Sequence, residues 1–148
     1  MRKELKGFKR EGTEYLESSK EFIKRDFNSK VTQDKVYYDI LLKYLKRSKR
    51  KNPAALEIGC YSGRGSCYVA KMFRKARVTG IDILQEAMEA SKKTAGILGV
   101  KGNVFFKKAN AEKLPFKAGS FDMVFSQGTF EHFKNISKIM KEQLRVLA

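Results

Sequence analysis

The segment Leu56-Glu57-Ile58-Gly59-Cys60-Tyr61-Ser62-Gly63-Arg64-Gly65, followed by Val78-Thr79-Gly80-Ile81-Asp82, constrains the fold more than any other part of the chain. An apolar strand, Ala54 to Ile58, runs into a glycine turn and then into a helix start. Seventeen residues after Gly65 a second apolar strand ends in an acid, Asp82. Glycines admit backbone with φ > 0 and let a ligand approach closely. A helix start presents unpaired N–H groups, and a carboxylate at a strand end can accept from both hydroxyls of a ribose. The pattern is that of a nucleoside-binding βαβ unit.

Dinucleotide sites use G-x-G-x-x-G, in which the second glycine admits a pyrophosphate and the third packs helix on strand. Here the glycines fall at 59, 63 and 65, and a carboxylate, Glu57, precedes the first by two residues. That acid would repel a pyrophosphate and suits an amino-acid ammonium, which argues against nicotinamide-dependent redox chemistry. Taken alone, the motif is also what a glycine-rich turn in any α/β protein looks like.

The arrangement resembles the E/D-x-G-x-G-x-G motif of class I S-adenosylmethionine-dependent methyltransferases, with Tyr61 where that motif usually has its middle glycine. The stretch Asn110-Ala111-Glu112-Lys113-Leu114-Pro115-Phe116 resembles the family's third-strand loop, and Phe121-Asp122-Met123-Val124-Phe125-Ser126 its fourth strand. Ser126-Gln127-Gly128-Thr129-Phe130-Glu131-His132-Phe133 resembles the segment after that strand, and Glu142-Gln143-Leu144-Arg145-Val146-Leu147 the one preceding a fifth. These segments cover roughly residues 35–148 and occur in the family's order.

The resemblance implies S-adenosylmethionine as cofactor. Glu57, Gly59, Cys60, Tyr61 and Gly63 would surround its amino-acid end, with Glu57 supporting either the ammonium or the N–H groups of the loop. Asp82 and Ile83 would meet the ribose and base. Asn110, Ala111 and Glu112 would hold the adenine edge, Asn110 standing where relatives have an acid. Ser126 and Gln127 would line the methionine end, and Glu131 with His132 would be the catalytic candidates, as base or as orienting groups. A structural place for His132 at the next helix start is the plainer alternative.

Periodicity supplies the rest. Val36, Tyr37, Ile40, Leu41, Tyr44 and Leu45 recur at helical spacing and predict a helix from Val31 to about Lys46, closed by Asn52-Pro53. Strands are predicted over 54–58, 77–81, 103–107 and 121–125, with helices after Gly65, over 84–98 and over 135–146. Alternation at this spacing argues for a parallel sheet with right-handed crossovers. The expected fold class is therefore α/β, a Rossmann-like three-layer α/β/α arrangement with strand order 3-2-1-4 and the distal strands missing. Residues 1–30 are expected as a basic, helical or flexible arm, with a weak stripe of Phe8, Tyr15, Leu16, Phe22, Ile23 and Phe27. Residues 31–148 are expected as the cofactor-binding domain. The predicted fourth strand is apolar on both faces, as interior parallel strands are. Its edge calls for a partner chain, for self-association, or for cover by the N-terminal arm.

Composition bounds the partners. The 148 residues carry a net charge of +16, with 16 Lys/Arg against 8 Asp/Glu both in 1–52 and in 53–148. The densest run, Lys43 to Lys51, could steer RNA by long-range attraction. It reads more simply as a solvated helix end whose cations complement the helix dipole. In this basic chain Glu57, Asp82, Glu112 and Glu131 fall at or just after the carboxyl ends of four predicted strands, where ligands bind in open α/β sheets. An acidic rim suits a ligand that carries a sulfonium and an ammonium. No apolar run approaches the roughly 20 residues of a membrane helix. Two cysteines and one histidine assemble no metal set, and a reducing cytoplasm fits best. The reading is a methyltransferase acting on a small-molecule acceptor in preference to RNA. The alternative is a truncated, non-catalytic cofactor-binding fragment that needs a partner chain.

Overall fold

The structure, a computed structural model, describes residues 13–148. The expected arm residues 1–12, Phe8 among them, lie outside the described residues. Helix α1 (Lys20–Gln33) starts at Ser19, whose hydroxyl accepts from the N–H of Phe22, and is followed by α2 (Lys35–Leu45). The single helix predicted from Val31 is thus two helices meeting at Asp34. Backbone hydrogen bonds continue through the junction, Asp34 N–H to Lys30 and Tyr38 N–H to Asp34. Helix α1 buries Ile23 beside Tyr15 and Ala90, and it buries Phe27 in the cluster that it shares with Tyr38, Leu41, Leu42 and Leu45 of α2.

Then come β1 (Ala54–Ile58), α3 (Arg64–Met72), β2 (Arg77–Asp82), α4 (Gln85–Leu98), β3 (Val104–Lys108), β4 (Met123–Ser126), a 3-10 turn (Phe130–His132) and α5 (Ile136–Val146). The four strands form one parallel sheet in the order β3-β2-β1-β4. Ile58 pairs with Ile81 on one side and with Ser126 on the other, so β1, β2 and β4 end level and their loops open onto one rim. Side chains alternate across β1. Ala55 joins the cluster under α2, α3 and α4, while Leu56 and Ile58 pack with Ile139 and Val146 of α5. This is the three-layer α/β/α arrangement. Full burial of residues such as Leu56, Ile58 and Ile139 contributes roughly 1.5–3 kcal/mol each.

The fourth strand starts later than its apolar run suggests. Asp122 is occupied as an anchor: its carboxylate accepts from Ser48 Oγ (2.6 Å) and from the N–H of Ala54 (2.7 Å), with Arg50 at 3.5 Å. Phe121 pairs with Leu147 through an isolated parallel bridge. Beyond that bridge, β4 has no strand on its outer side among the described residues. No helix among them is long and apolar enough to cross a membrane.

Candidate functional site

At the rim the turn between β1 and α3 is organised around two carboxylates. Glu57 leaves β1 on the α3 side and is buried. Its Oε2 accepts from both the N–H (2.7 Å) and the hydroxyl (2.6 Å) of Ser66, in the first turn of α3. Gly65 makes this approach possible, because a Cβ there would lie 2.9 Å from the Glu57 carboxyl carbon and closer still to Oε1. Of the two roles open to Glu57, the geometry shows the support of the loop and helix start. Burial pushes its carboxyl up to about 7, against the Ser66 hydrogen bonds and the Arg64 charge, which pull it down.

Asp82 fastens the same turn from β2. Its Oδ2 accepts from the N–H of Tyr61 (3.1 Å) and its Oδ1 from that of Leu84 (3.0 Å). Tyr61 has φ of 45°, left-handed backbone that a non-glycine residue adopts at a cost of about 1–2 kcal/mol. The Asp82 bond on its N–H and the Ser91 hydroxyl on its carbonyl (2.8 Å) hold it there.

Two hollows flank this turn. One is an apolar pocket of about 180 Å³ that includes Ile58, Ile81, Asp82, Ile83 and Asn110 in its wall. The other is a polar, open cleft of about 400 Å³ between the turn and the α1–α2 junction, with Lys30, Asp34, Glu57 and Arg64 around it. They meet at Gly59, Tyr61 and Gly128, which line both. The combined hollow suits an extended molecule with a flat apolar end, a diol near Asp82 and a charged far end.

Of the residues singled out in the sequence, Gly59, Tyr61, Asp82, Ile83, Asn110, Ala111 and His132 line the apolar pocket, and Glu57, Cys60 and Gln127 border the polar cleft. Gly63, Glu112, Ser126 and Glu131 line neither. Gly63 faces inward, where a Cβ would come 2.8 Å from the Phe106 ring and 3.0 Å from Ser91 Cβ. Its glycine is required by the core at φ of 74°. Ser126 ends β4 with its carbonyl accepting from the Tyr37 hydroxyl at 3.0 Å. Glu131 is exposed on the 3-10 turn. Glu112 gives its N–H to Asn110 Oδ1 (2.9 Å), so the Asn110 oxygen closes a local turn while facing the pocket. Gly59 is hemmed in by Thr129, whose Cβ would lie 3.0 Å from a Cβ there. Burial pushes the Cys60 thiol well above its ordinary range, which marks it as inert wall.

The resemblance implies that segments before the first strand can lid the cofactor or build the substrate pocket, but sequence reasoning did not single out the side chains that α1 and α2 bring there. The Tyr37 hydroxyl donates to the Ser126 carbonyl and the Tyr38 hydroxyl to Gln127 Oε1 (3.3 Å), which ties α2 to the segment after β4. Burial, then the nearby Glu57 charge, pushes Tyr37 up to about 12 and also raises Tyr38, so both remain hydrogen-bond donors at neutral pH. The only sequence signal was a tyrosine pair on the buried face of an amphipathic helix.

Residues 56–148 match the methyltransferase domain family. The chain belongs to the class I methyltransferase family. It is 30% identical over 100 residues to the ajmaline N-methyltransferase of Rauvolfia serpentina, a match covering 68% of this chain and 34% of that one. It is 30% identical over 92 residues to the fatty-acid O-methyltransferase of Mycolicibacterium smegmatis, covering 62% and 32%. The matched part thus spans about a third of the length of these curated relatives. Among solved structures, the YcgJ protein from Bacillus subtilis superposes with a TM-score of 0.63 at 28% identity, over 74% of this chain and 45% of its own. The family match begins at Leu56, so α1 and α2, with Lys30, Asp34, Tyr37 and Tyr38, lie before it. The family's cofactor is S-adenosylmethionine, and the site has the acid, the apolar slot and the charged cleft that this molecule requires.

Proposed function

We propose that the chain binds S-adenosylmethionine across the two hollows and serves methyl transfer to a small-molecule acceptor. The observation that carries this is the junction at Gly59, Tyr61 and Gly128, with the Asp82 carboxylate on the apolar side and mixed charges on the other. A carboxylate has about four acceptor positions. Asp82 uses two on backbone N–H groups and keeps others for ribose hydroxyls. Ile58, Ile81, Ile83 and Ala111 offer apolar faces to a base, and Asn110 offers its amide to the base edge.

The sulfonium supplies an already activated methyl group. What the chain has to contribute is position: holding the acceptor in line at attack distance is worth several kcal/mol by itself. Of the two catalytic candidates, His132 lines the apolar pocket, and Glu131, exposed beside it, would act on an acceptor only from the rim. The preference for a small molecule draws on the two relatives named for such acceptors, whereas RNA draws on net charge alone. Unpaired Cys60 and Cys67 accord with a reducing cytoplasm.

Asp82→Ala tests the reading. Hydrogen bonds to a charged group contribute roughly 1.5–3 kcal/mol, so affinity for S-adenosylhomocysteine in calorimetry should fall about 10- to 100-fold. Equal affinity in the variant would remove Asp82 from the site. A second reading, cofactor binding without turnover until another chain covers β4, rests on that open strand beside Ile136, Met140 and Leu144, which lie exposed along α5. Methyl transfer by a preparation that light scattering shows to be monomeric would sink it.

A further inference from the structure

Within that reading of the site, the charged cleft has an unassigned division of labour. Glu57 is the acid that the motif offers to a ligand ammonium, yet it is buried and its Oε2 is committed to the N–H and hydroxyl of Ser66. Asp34 is placed differently. It sits at the junction of α1 and α2, caps neither helix with its side chain, and its carboxylate makes no hydrogen bond or ion pair among the described residues. It lines the cleft opposite the glycine turn. Two cations border the same cleft. Lys30 lies one helical turn before Asp34, its ammonium 3.4 Å from Gln33 Oε1. Arg64 opens α3 and is steadied by Asp26 of α1 at 2.9 Å, which uses one of its five donors.

A cleft with one unpaired acid and a lysine on the α1 wall, and an arginine with a helix start on the other, has the charge pattern of a zwitterion's receptor. We infer that Asp34 receives the ammonium of the cofactor's amino-acid end and that Lys30 and Arg64 receive its carboxylate, so that the helices preceding the matched family region complete the cofactor site. Glu57 then acts through the loop it holds, as a positioning residue, and Asp34 is the direct contact.

The test uses two ligands that differ only at that end. S-adenosylhomocysteine carries the ammonium and carboxylate, and 5′-methylthioadenosine carries neither. Titration calorimetry of the full chain with each should show Asp34→Asn lowering affinity for S-adenosylhomocysteine about tenfold while leaving that for methylthioadenosine within twofold, with Asp34→Glu restoring most of the loss. Lys30→Met should show the same selectivity at smaller size. Retained methylthioadenosine affinity also reports that the variant is folded. Equal losses for both ligands, or no loss for either, would overturn the assignment while leaving the proposed function intact. Failure of the unaltered chain to bind S-adenosylhomocysteine would overturn both.

Discussion

Two neighbouring strands end at the same rim, and the loops beyond them differ in kind. After β1, the turn from Glu57 to Ser66 has its polar groups paired inside the protein: Glu57 with Ser66, Tyr61 with Asp82 and Ser91, Gly63 with Cys60. After β4, the segment from Ser126 to Phe133 is fastened at its start by the Tyr37 hydroxyl on the Ser126 carbonyl (3.0 Å), and beyond it by longer bonds, the Tyr38 hydroxyl to Gln127 at 3.3 Å and the Thr129 hydroxyl with Ile58 and Gln127 carbonyls at 3.3 and 3.2 Å. The first was organised by folding before any ligand arrives; the second is held loosely enough to adapt. Under the proposed function, a firmly paired turn beneath the cofactor beside a less tightly held segment would leave latitude for the acceptor.

Gly65→Ala should expose the contrast most strongly. Its Cβ would collide with the buried Glu57 carboxyl, which cannot move without abandoning Ser66. A loss of about 3 kcal/mol or more is expected, roughly 10 °C in Tm. A melting curve unchanged by this variant would show that the turn is as adaptable as its neighbour.

Next in size is the pH response of Glu57. Its folded carboxyl titrates near 7, above the ordinary carboxylate range, so the folded state holds the proton more tightly than the unfolded chain does. The contribution is therefore full below about pH 4.5, declines as pH rises toward 7, and stays lost above it. At 1.36 kcal/mol per unit this amounts to something on the order of 3 kcal/mol. Glu57→Gln should gain Tm relative to the unaltered chain as pH rises from 5 to 7.5. A difference between the two that is flat across that range would show Glu57 charged and content in its site.

The smallest effect belongs to the β4 segment. Gly128 has φ of 62°, but the nearest atom a Cβ would meet is Glu131 Oε1 at 3.8 Å. Gly128→Ala should cost only the left-handed backbone, about 1 kcal/mol. Thermal melting should register it as a shift of a few degrees. A loss as large as that at Gly65 would erase the distinction between the two loops.

What was legible in the sequence is what local chemistry encodes. The glycine turn, Asp82 at the end of an apolar run and the alternation of strands and helices were readable because each depends on residues close together in the chain. The inward-facing role of Gly63 was not, since it is fixed by Phe106 of β3, more than 40 residues away. The break at Asp34 carries neither proline nor glycine to announce it. Asp122 looked like a strand residue because nothing near it reveals Ser48 and the Ala54 N–H as its partners.

Helix α5 buries only Ile139 and Val146 in the core, yet it reaches the site through its polar side chains. Glu142 accepts from the N–H of Leu114 (2.7 Å), and Arg145 pairs with Glu142 while donating to the carbonyls of Leu114 and Phe116. The loop after β3, which brings Asn110 and Ala111 to the apolar pocket, is thereby buckled to a peripheral helix. The Arg145 hydrogen bonds hold the Glu142 carboxyl down at about 2, so acidification within the physiological range leaves the buckle fastened. Both side chains are partly exposed, and dissolved ions reach them over the roughly 8 Å of physiological screening. Ionic strength, and not acidity, is the solution variable that travels through α5 to the wall of the pocket.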